Sequence, residues 1–110
     1  MDRKNIQSVI TAYLSDVAKK ISVEKAMLFG SAASGEIDRD GDIDLLVISP
    51  SFTGMDAAQR FDLLYTARVN LLTQSVPMDI FGLTPTEYNQ AEITSIVYEV
   101  KETGKDVTPS

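Results

Sequence analysis

Residues 42–48 read Asp-Ile-Asp-Leu-Leu-Val-Ile, and ten residues separate this stretch from a preceding Gly30-Ser31 pair. The four consecutive apolar residues at its end are typical of a strand that is buried on both faces of a sheet. Because a strand turns alternate side chains to opposite faces, Asp42 and Asp44 project from the same side at its start. Two carboxylates this close repel each other unless a cation or a proton lies between them. The stretch therefore predicts a central strand whose first residues hold a metal ion.

The composition limits the chemistry that is available. The chain has 110 residues, of which 44% are hydrophobic, so we expect one compact core and a single domain over residues 1–110. It contains no histidine and no cysteine, which excludes zinc sites, serine-histidine triads, thiol nucleophiles and disulfides. Any catalysis must therefore use carboxylates, hydroxyls and amines.

The charge and hydropathy limit the partners. Ten basic and sixteen acidic residues give a formal charge of −6, which is the wrong sign for gripping an extended nucleic acid through its phosphates. No apolar stretch approaches the roughly 18 to 20 residues that span a bilayer, and the N-terminus lacks the layout of a signal peptide. We expect a soluble, cytoplasmic protein without a membrane partner.

The first half of the chain predicts one helix, two strands and a second helix. Lys25–Phe29 and residues 42–48 are short apolar runs that predict buried strands. Thr53-Gly54-Met55-Asp56 predicts a helix start, with Asp56 three residues after the threonine hydroxyl. The apolar positions spaced by three and four residues predict a leading helix over about the first twenty residues and a long second helix: Ile6, Val9, Ile10, Tyr13, Leu14, Val17 and Ile21 for the first, and Ala57, Phe61, Leu64 and Leu71 for the second.

The second half predicts a further strand and two more helices. Residues 76–82 form a short apolar run with Asp79 in its middle, and residues 84–87 open a helix with proline first and glutamate third. Residues 91–101 are helical in pattern, and Gly104 is placed to end that helix before a polar tail. We predict a small α/β (α+β) fold in which helices pack on a mixed sheet of three to four strands.

Three further residues are candidates for the site. Gly30 and Ser31 follow a predicted strand, where backbone amides and a hydroxyl could hold phosphate oxygens, although the same pair is common in simple turns. Asp79 could join Asp42 and Asp44 as a third acid, or be a surface residue or a salt-bridge partner. Asp42 and Asp44 could likewise be solvated edge residues.

Oxygen ligands alone favour a hard ion, either Mg²⁺ together with phosphates or caged Ca²⁺. Residues 36–44 superficially copy a calcium-binding loop, with alternating acids and a glycine in sixth place. The copy fails because the twelfth place is Val47 where a bidentate glutamate belongs, and because a strand follows where a helix is needed. A calcium-binding module is the alternative of a different class.

The chain resembles the nucleotidyltransferase superfamily that includes DNA polymerase beta, through Leu28–Ser31, the ten-residue spacer, Asp42–Val47 and the later Asp79. It is most similar to the minimal nucleotidyltransferases that are encoded beside HEPN-domain partners. The resemblance implies that Asp42, Asp44 and Asp79 are catalytic and coordinate two Mg²⁺ ions, and that Gly30 and Ser31 bind the outer phosphates of ATP. Asp79 would also help to deprotonate the attacking hydroxyl.

The resemblance further implies transfer of AMP from ATP to a hydroxyl, with tyrosine the expected acceptor, on a HEPN toxin, so that this chain is the antitoxin. One feature departs from the family: arginines common after glycine-serine are replaced by Ala32 and Ser34, and Arg39 is a possible substitute. Two rival functions remain. The chain could be an inactive relative that neutralises its partner by binding, or a nucleotidyltransferase of the aminoglycoside type that modifies small molecules.

Overall fold

The computed structural model describes residues 3–30, 33, 42–90 and 95–109. Its four strands are β1 (Lys25–Phe29), β2 (Ile43–Ile48), β3 (Met78–Leu83) and β4 (Lys105–Asp106), in the spatial order β3-β2-β1-β4. β1 is antiparallel to β2 and β4, whereas β2 and β3 run parallel. This mixed sheet with its helices confirms the predicted fold class.

The helices are α1 (Arg3–Val17), α2 (Ala57–Thr66), α3 (Leu71–Gln74), α4 (Pro85–Gln90) and α5 (Ser95–Thr103), and a 3₁₀ turn spans Pro50–Phe52. The seven apolar positions that predicted α1 and its continuation are all buried. The hydroxyl of Tyr13 donates a hydrogen bond of 2.7 Å to the carbonyl of Leu64, which joins α1 to α2. A buried tyrosine needs such a partner, because an unpaired hydroxyl in the core is costly.

The middle strand β2 is buried on both faces, as its sequence predicts. Leu45 and Val47 belong to the core cluster beneath α1, whereas Leu46 and Ile48 pack in a second cluster with Val100 of α5. Because side chains alternate along a strand, Asp44 lies on the same face as Leu46. The acidic start of β2 therefore faces the side of the sheet that α5 covers.

The second helix differs from the prediction in its start and in its length. Asp56 is the N-cap: its side chain accepts a hydrogen bond from the amide of Gln59, and the Gln59 side chain accepts one from the amide of Asp56, both at 2.8 Å. The predicted role of Thr53 was wrong, because its hydroxyl donates to the carbonyl of Pro50 within the 3₁₀ turn. A reciprocal capping box satisfies two helix-start amides, which favours the later start.

The long apolar stripe predicted for this helix was also wrong. α2 ends at Thr66, and Asn70 caps the separate helix α3 by accepting a hydrogen bond from the amide of Leu72. Leu71 is 82% exposed and Phe61 is 59% exposed, so neither belongs to the core. The asparagine offers a local hydrogen-bond partner that starts a new helix.

In the last part of the chain, one predicted helix start is confirmed and one strand was not predicted. Thr84 and Glu87 form the predicted capping box of α4, with hydrogen bonds of 2.7 and 3.1 Å. α5 covers most of the predicted final helix, and residues 91–94 lie outside the described residues. The predicted polar tail instead contains β4, which pairs with β1. The two residues of β4 are exposed and have no apolar pattern from which a strand could be predicted. Their pairing depends on the free edge of β1.

Candidate active site

Asp44 and Asp79 lie side by side at the starts of two neighbouring parallel strands. The register pairs Ile43 with Met78 and Asp44 with Asp79. Residues opposite each other on adjacent strands project from the same face, about 5 Å apart. Two carboxyl groups this close can hydrogen-bond to each other only when one of them carries a proton, so the pair is arranged to share either a proton or a cation.

The electrostatics of Asp44 follow from this arrangement. Burial, followed by the negative charges of Asp79, Asp42 and Glu99 and by a hydrogen bond that protonated Asp44 donates to Asp79, raises the pKa of Asp44 to about 6. Every neighbour that acts on Asp44 is therefore an acid, and each disfavours its ionised form. A divalent cation bound by the ionised pair would remove this penalty, which is the electrostatic condition expected at a magnesium site.

The donor set fits Mg²⁺ bound together with phosphates better than a closed metal cage. Asp42 precedes β2, is half-buried and is near enough to act on Asp44. Within the described ranges, however, no group of three or more acidic side chains is spaced so as to hold a metal ion by itself. Mg²⁺ is commonly bound by one or two carboxylates, substrate phosphates and water. The Asp44 and Asp79 pair satisfies that requirement.

Gly30 ends β1 directly beside Asp44, at the place where the sequence predicts phosphate binding. It adopts φ +73°, a left-handed conformation that favours glycine. A Cβ at this position would collide with the carboxylate oxygen of Asp44 and lie 3.2 Å from its Cγ. Glycine thus allows the backbone to approach the acidic pair closely. Ser31, Ala32, Ser34 and Arg39 lie outside the described residues.

The calcium-binding alternative concerns the loop over residues 36–44 and the segment that follows it. Residues 36–41 of the loop lie outside the described residues. The segment that follows is strand β2, in which Asp44 pairs with Asp79 and Val47 is buried. A calcium-binding hand requires a helix at this point, so the structure of residues 43–48 does not suit that alternative.

Glu99 is a site residue that the sequence analysis did not predict. It lies on α5, and its charge contributes to the raised pKa of Asp44. The apolar positions of α5, such as Val97 and Val100, indicate which side of the helix is buried. They do not indicate which strand α5 crosses, so no local signal points from Glu99 to Asp44.

A cavity of about 700 Å³ adjoins Asp79 on the outer side of β3. Apolar side chains of α2, β3 and α5 supply much of its wall, and its aromatic members include Phe61, Tyr65 and Phe81. The rings of Phe61 and Tyr65 stack with centroids 4.2 Å apart. The acidic pair therefore stands at the edge of an open, partly apolar depression that can receive a second molecule.

The sequence matches the model of a known family over most of its length. The nucleotidyltransferase domain model matches residues 10–106, most of the chain, and the protein therefore belongs to the nucleotidyltransferase domain family. The family model covers β1, β2 and β3, including Gly30, Asp44 and Asp79. No curated protein matches the sequence significantly.

Solved structures show the same fold at low sequence identity. A candidate nucleotidyltransferase from Sulfolobus solfataricus superposes with a TM-score of 0.69 at 16% identity, over 94% of this chain and 80% of that one. A toxin-antitoxin crystallised with AMP-PNP superposes with a TM-score of 0.64 at 19% sequence identity, over 100% of this chain and 75% of that one. A doubly substituted MntA-HpeT toxin-antitoxin superposes with a TM-score of 0.62 at 21% sequence identity, over 94% of this chain and 73% of that one. These similarities concern the fold.

No helix in the described part of the chain is both long and apolar enough to cross a bilayer.

Proposed function

We propose that this chain is a Mg²⁺-dependent nucleotidyltransferase that moves AMP from ATP to a hydroxyl, expected to be that of a tyrosine, on a HEPN-domain toxin. The toxin would be inactivated by the transfer, which makes this chain the antitoxin. The observation that carries the proposal is the pairing of Asp44 with Asp79 beside the glycine that ends β1. Family membership supports nucleotidyl transfer in general.

In this proposal each acid has a role that follows from its position. Asp44 would hold the ions on the nucleotide side, because it lies in the buried strand β2 and adjoins Gly30, and Asp42, which directly precedes β2, would assist it. Asp79 is exposed and borders the cavity, so it can share an ion and take up the proton of the attacking hydroxyl. Mg²⁺, when bound, neutralises charge on the departing pyrophosphate and lowers the pKa of the acceptor hydroxyl. Gly30 and Ser31 would bind the outer phosphates.

The choice of a toxin as acceptor is supported by the solved relatives in fold. One is a toxin-antitoxin with a bound ATP analogue, and in another two aspartates separated by a single residue were changed to glutamate. The same spacing separates Asp42 from Asp44. Exposed Phe61 and Phe81 beside Asp79 give a protein acceptor a surface to contact.

Label transfer tests the proposal. The chain is incubated with ATP labelled at the α-phosphate, Mg²⁺ and the protein encoded beside it, which the proposal expects to be a HEPN-domain toxin. We expect label on the partner, and we expect Asp44→Asn and Asp79→Asn each to reduce the rate at least 100-fold, since each removes a ligand carboxylate. Asp62→Asn on the exposed surface of α2 is the matched control and should retain the rate. Equal transfer by all four proteins would contradict the proposal.

The same experiment separates the two rivals. A stable complex with the partner but no label transfer would favour an inactive binding protein. Transfer to aminoglycosides or other small hydroxyl compounds, without transfer to the partner, would favour the small-molecule class.

A further inference from the structure

β3 is an edge strand, and the side chain of Tyr65 occupies part of its open side. The strand order places β2 on one side of β3 and no strand on the other, within the described sheet. The hydroxyl of Tyr65 donates to the carbonyl of Met78 at 3.1 Å and accepts from the amide of Ile80 at 3.0 Å. One side chain thus replaces two of the hydrogen bonds that a neighbouring strand would make.

The two backbone groups that Tyr65 contacts belong to the peptide bonds on either side of Asp79. The Met78 carbonyl is part of the bond that precedes Asp79, and the Ile80 amide is part of the bond that follows it. Because consecutive residues of a strand direct their amides and carbonyls to opposite sides, the N–H and C=O of Asp79 itself face β2. The backbone of Asp79 is therefore held from both sides.

Other contacts hold the phenol of Tyr65 in place. Its ring stacks on Phe61 with an interplanar angle of 28°. One helical turn earlier, Arg60 donates to the carbonyl of Gly82 at 3.2 Å, which attaches α2 to β3 at a second point. The guanidinium is itself held by Glu87 at 2.7 Å. The outer side of β3 is thus attached to α2 at both ends.

We infer that Tyr65 is a positioning residue for metal binding: its hydroxyl holds the backbone on both sides of Asp79 so that this carboxylate keeps its place beside Asp44. The inference rests on the proposed function, because it assigns Asp79 a ligand role. A ligand must lie within about 0.5 Å of its productive position. Edge strands have few backbone partners, so the third acid needs this support more than Asp44 does in the sheet centre.

A purely structural role for Tyr65 would have a different signature. Closing a sheet edge contributes to stability and prevents strand addition, but it leaves the affinity for a metal ion unchanged. Tyr13 offers the matched control. Its hydroxyl also donates to a backbone carbonyl, that of Leu64, but among the described residues it makes no hydrogen bond to β3 or to Asp79.

The test is Mn²⁺ binding to the full chain, measured by electron paramagnetic resonance and by calorimetry for wild type, Tyr65→Phe and Tyr13→Phe. We expect Tyr65→Phe to weaken Mn²⁺ binding about 10-fold, the lower range for loss of a group that supports a ligand. In this variant the backbone amide of Ile80 should also exchange with solvent faster than in wild type. Tyr13→Phe should lower the melting temperature and leave Mn²⁺ affinity within about twofold of wild type.

The outcomes are distinguishable. If wild type binds Mn²⁺ and Tyr65→Phe binds it equally well, or if Tyr13→Phe weakens binding as much, the positioning role is overturned and the proposed function stands. If wild type binds no Mn²⁺ either alone or together with a non-hydrolysable ATP analogue, the proposed function fails, and the inference fails with it.

Discussion

The carboxylate of Asp44 occupies the space that a side chain at residue 30 would need. Gly30→Ala should therefore destabilise the protein for two reasons: a left-handed backbone, at about 1–2 kcal/mol, and a collision that adds about 1–3 kcal/mol. Gly54→Ala is the matched control, because Gly54 has φ +82° but no neighbour within 4 Å of the added Cβ. Urea unfolding of both variants measures the difference.

The collision can be isolated by a second substitution. Combined with Asp44→Ala, the change at Gly30 should cost no more than Gly54→Ala does, because the obstructing carboxylate is gone. Equal costs for Gly30→Ala and Gly54→Ala in the wild-type background would contradict the close approach.

In the absence of Mg²⁺, the contribution of Asp44 to stability should fall as pH rises from about 4 to about 6. The folded pKa of Asp44 is raised to about 6, so over this range the folded state binds more protons than the unfolded state. Asp44 therefore favours folding most at low pH and loses this effect as pH passes its folded pKa. Thermal unfolding of wild type and Asp44→Asn across this range isolates the contribution.

At pH 7.5 without Mg²⁺, Asp44→Asn should be more stable than wild type by about 1 kcal/mol, a figure reduced for the partial exposure of the site. The amide has no charge and can donate to Asp79. Mg²⁺ should raise the melting temperature of wild type and leave that of the variant unchanged. A variant less stable than wild type under these conditions would show that the acids do not repel each other.

Glu99→Gln should lower the pKa of Asp44, because the charge of Glu99 is one of the causes of its elevation. The expected change is smaller than that from Asp79→Asn, since Asp79 contributes more. Carbon-13 NMR of the Asp44 carboxyl measures the titration directly. Glu102→Gln, at an exposed position on the same helix, is the control and should leave the pKa of Asp44 unchanged.

Glu87→Gln should destabilise the fold by about 1 kcal/mol, because it removes the charge that pairs with Arg60, whereas the amide oxygen of glutamine can still accept from the Thr84 amide. Hydrogen bonds from Arg60 and from the Thr84 amide hold the pKa of Glu87 below its usual range. This contribution is present above the unfolded pKa and is lost as pH falls through the folded one. Urea unfolding of wild type and variant at pH 7 and pH 3 tests this expectation: the difference between their free energies of unfolding should be smaller at pH 3.

Much of the fold follows from local patterns. The helix α1 is predicted by its periodicity, and β1, β2 and β3 are predicted by their apolar runs. These predictions succeed because the spacing of apolar residues indicates whether one face or both faces of a segment are buried. Thr84–Glu87 likewise predicts its own cap. Three features were not predicted: the cap at Asp56, the break before α3 and the strand β4. The cap and the break depend on which of several nearby polar side chains bonds to the helix-start amides. The strand β4 depends on pairing with β1, which is distant in the sequence.

The sequence alone determined that any chemistry here must use carboxylates and hydroxyls, and that two of the acids start a buried strand. Only the tertiary structure decided that Asp79 lies opposite Asp44, that Glu99 of α5 is near enough for its charge to act on Asp44, and that the Tyr65 hydroxyl bonds to the open side of β3. The physical reason is that spacing along one segment specifies which face of that segment is buried. The register between strands far apart in the chain is set by how helices and sheet pack together.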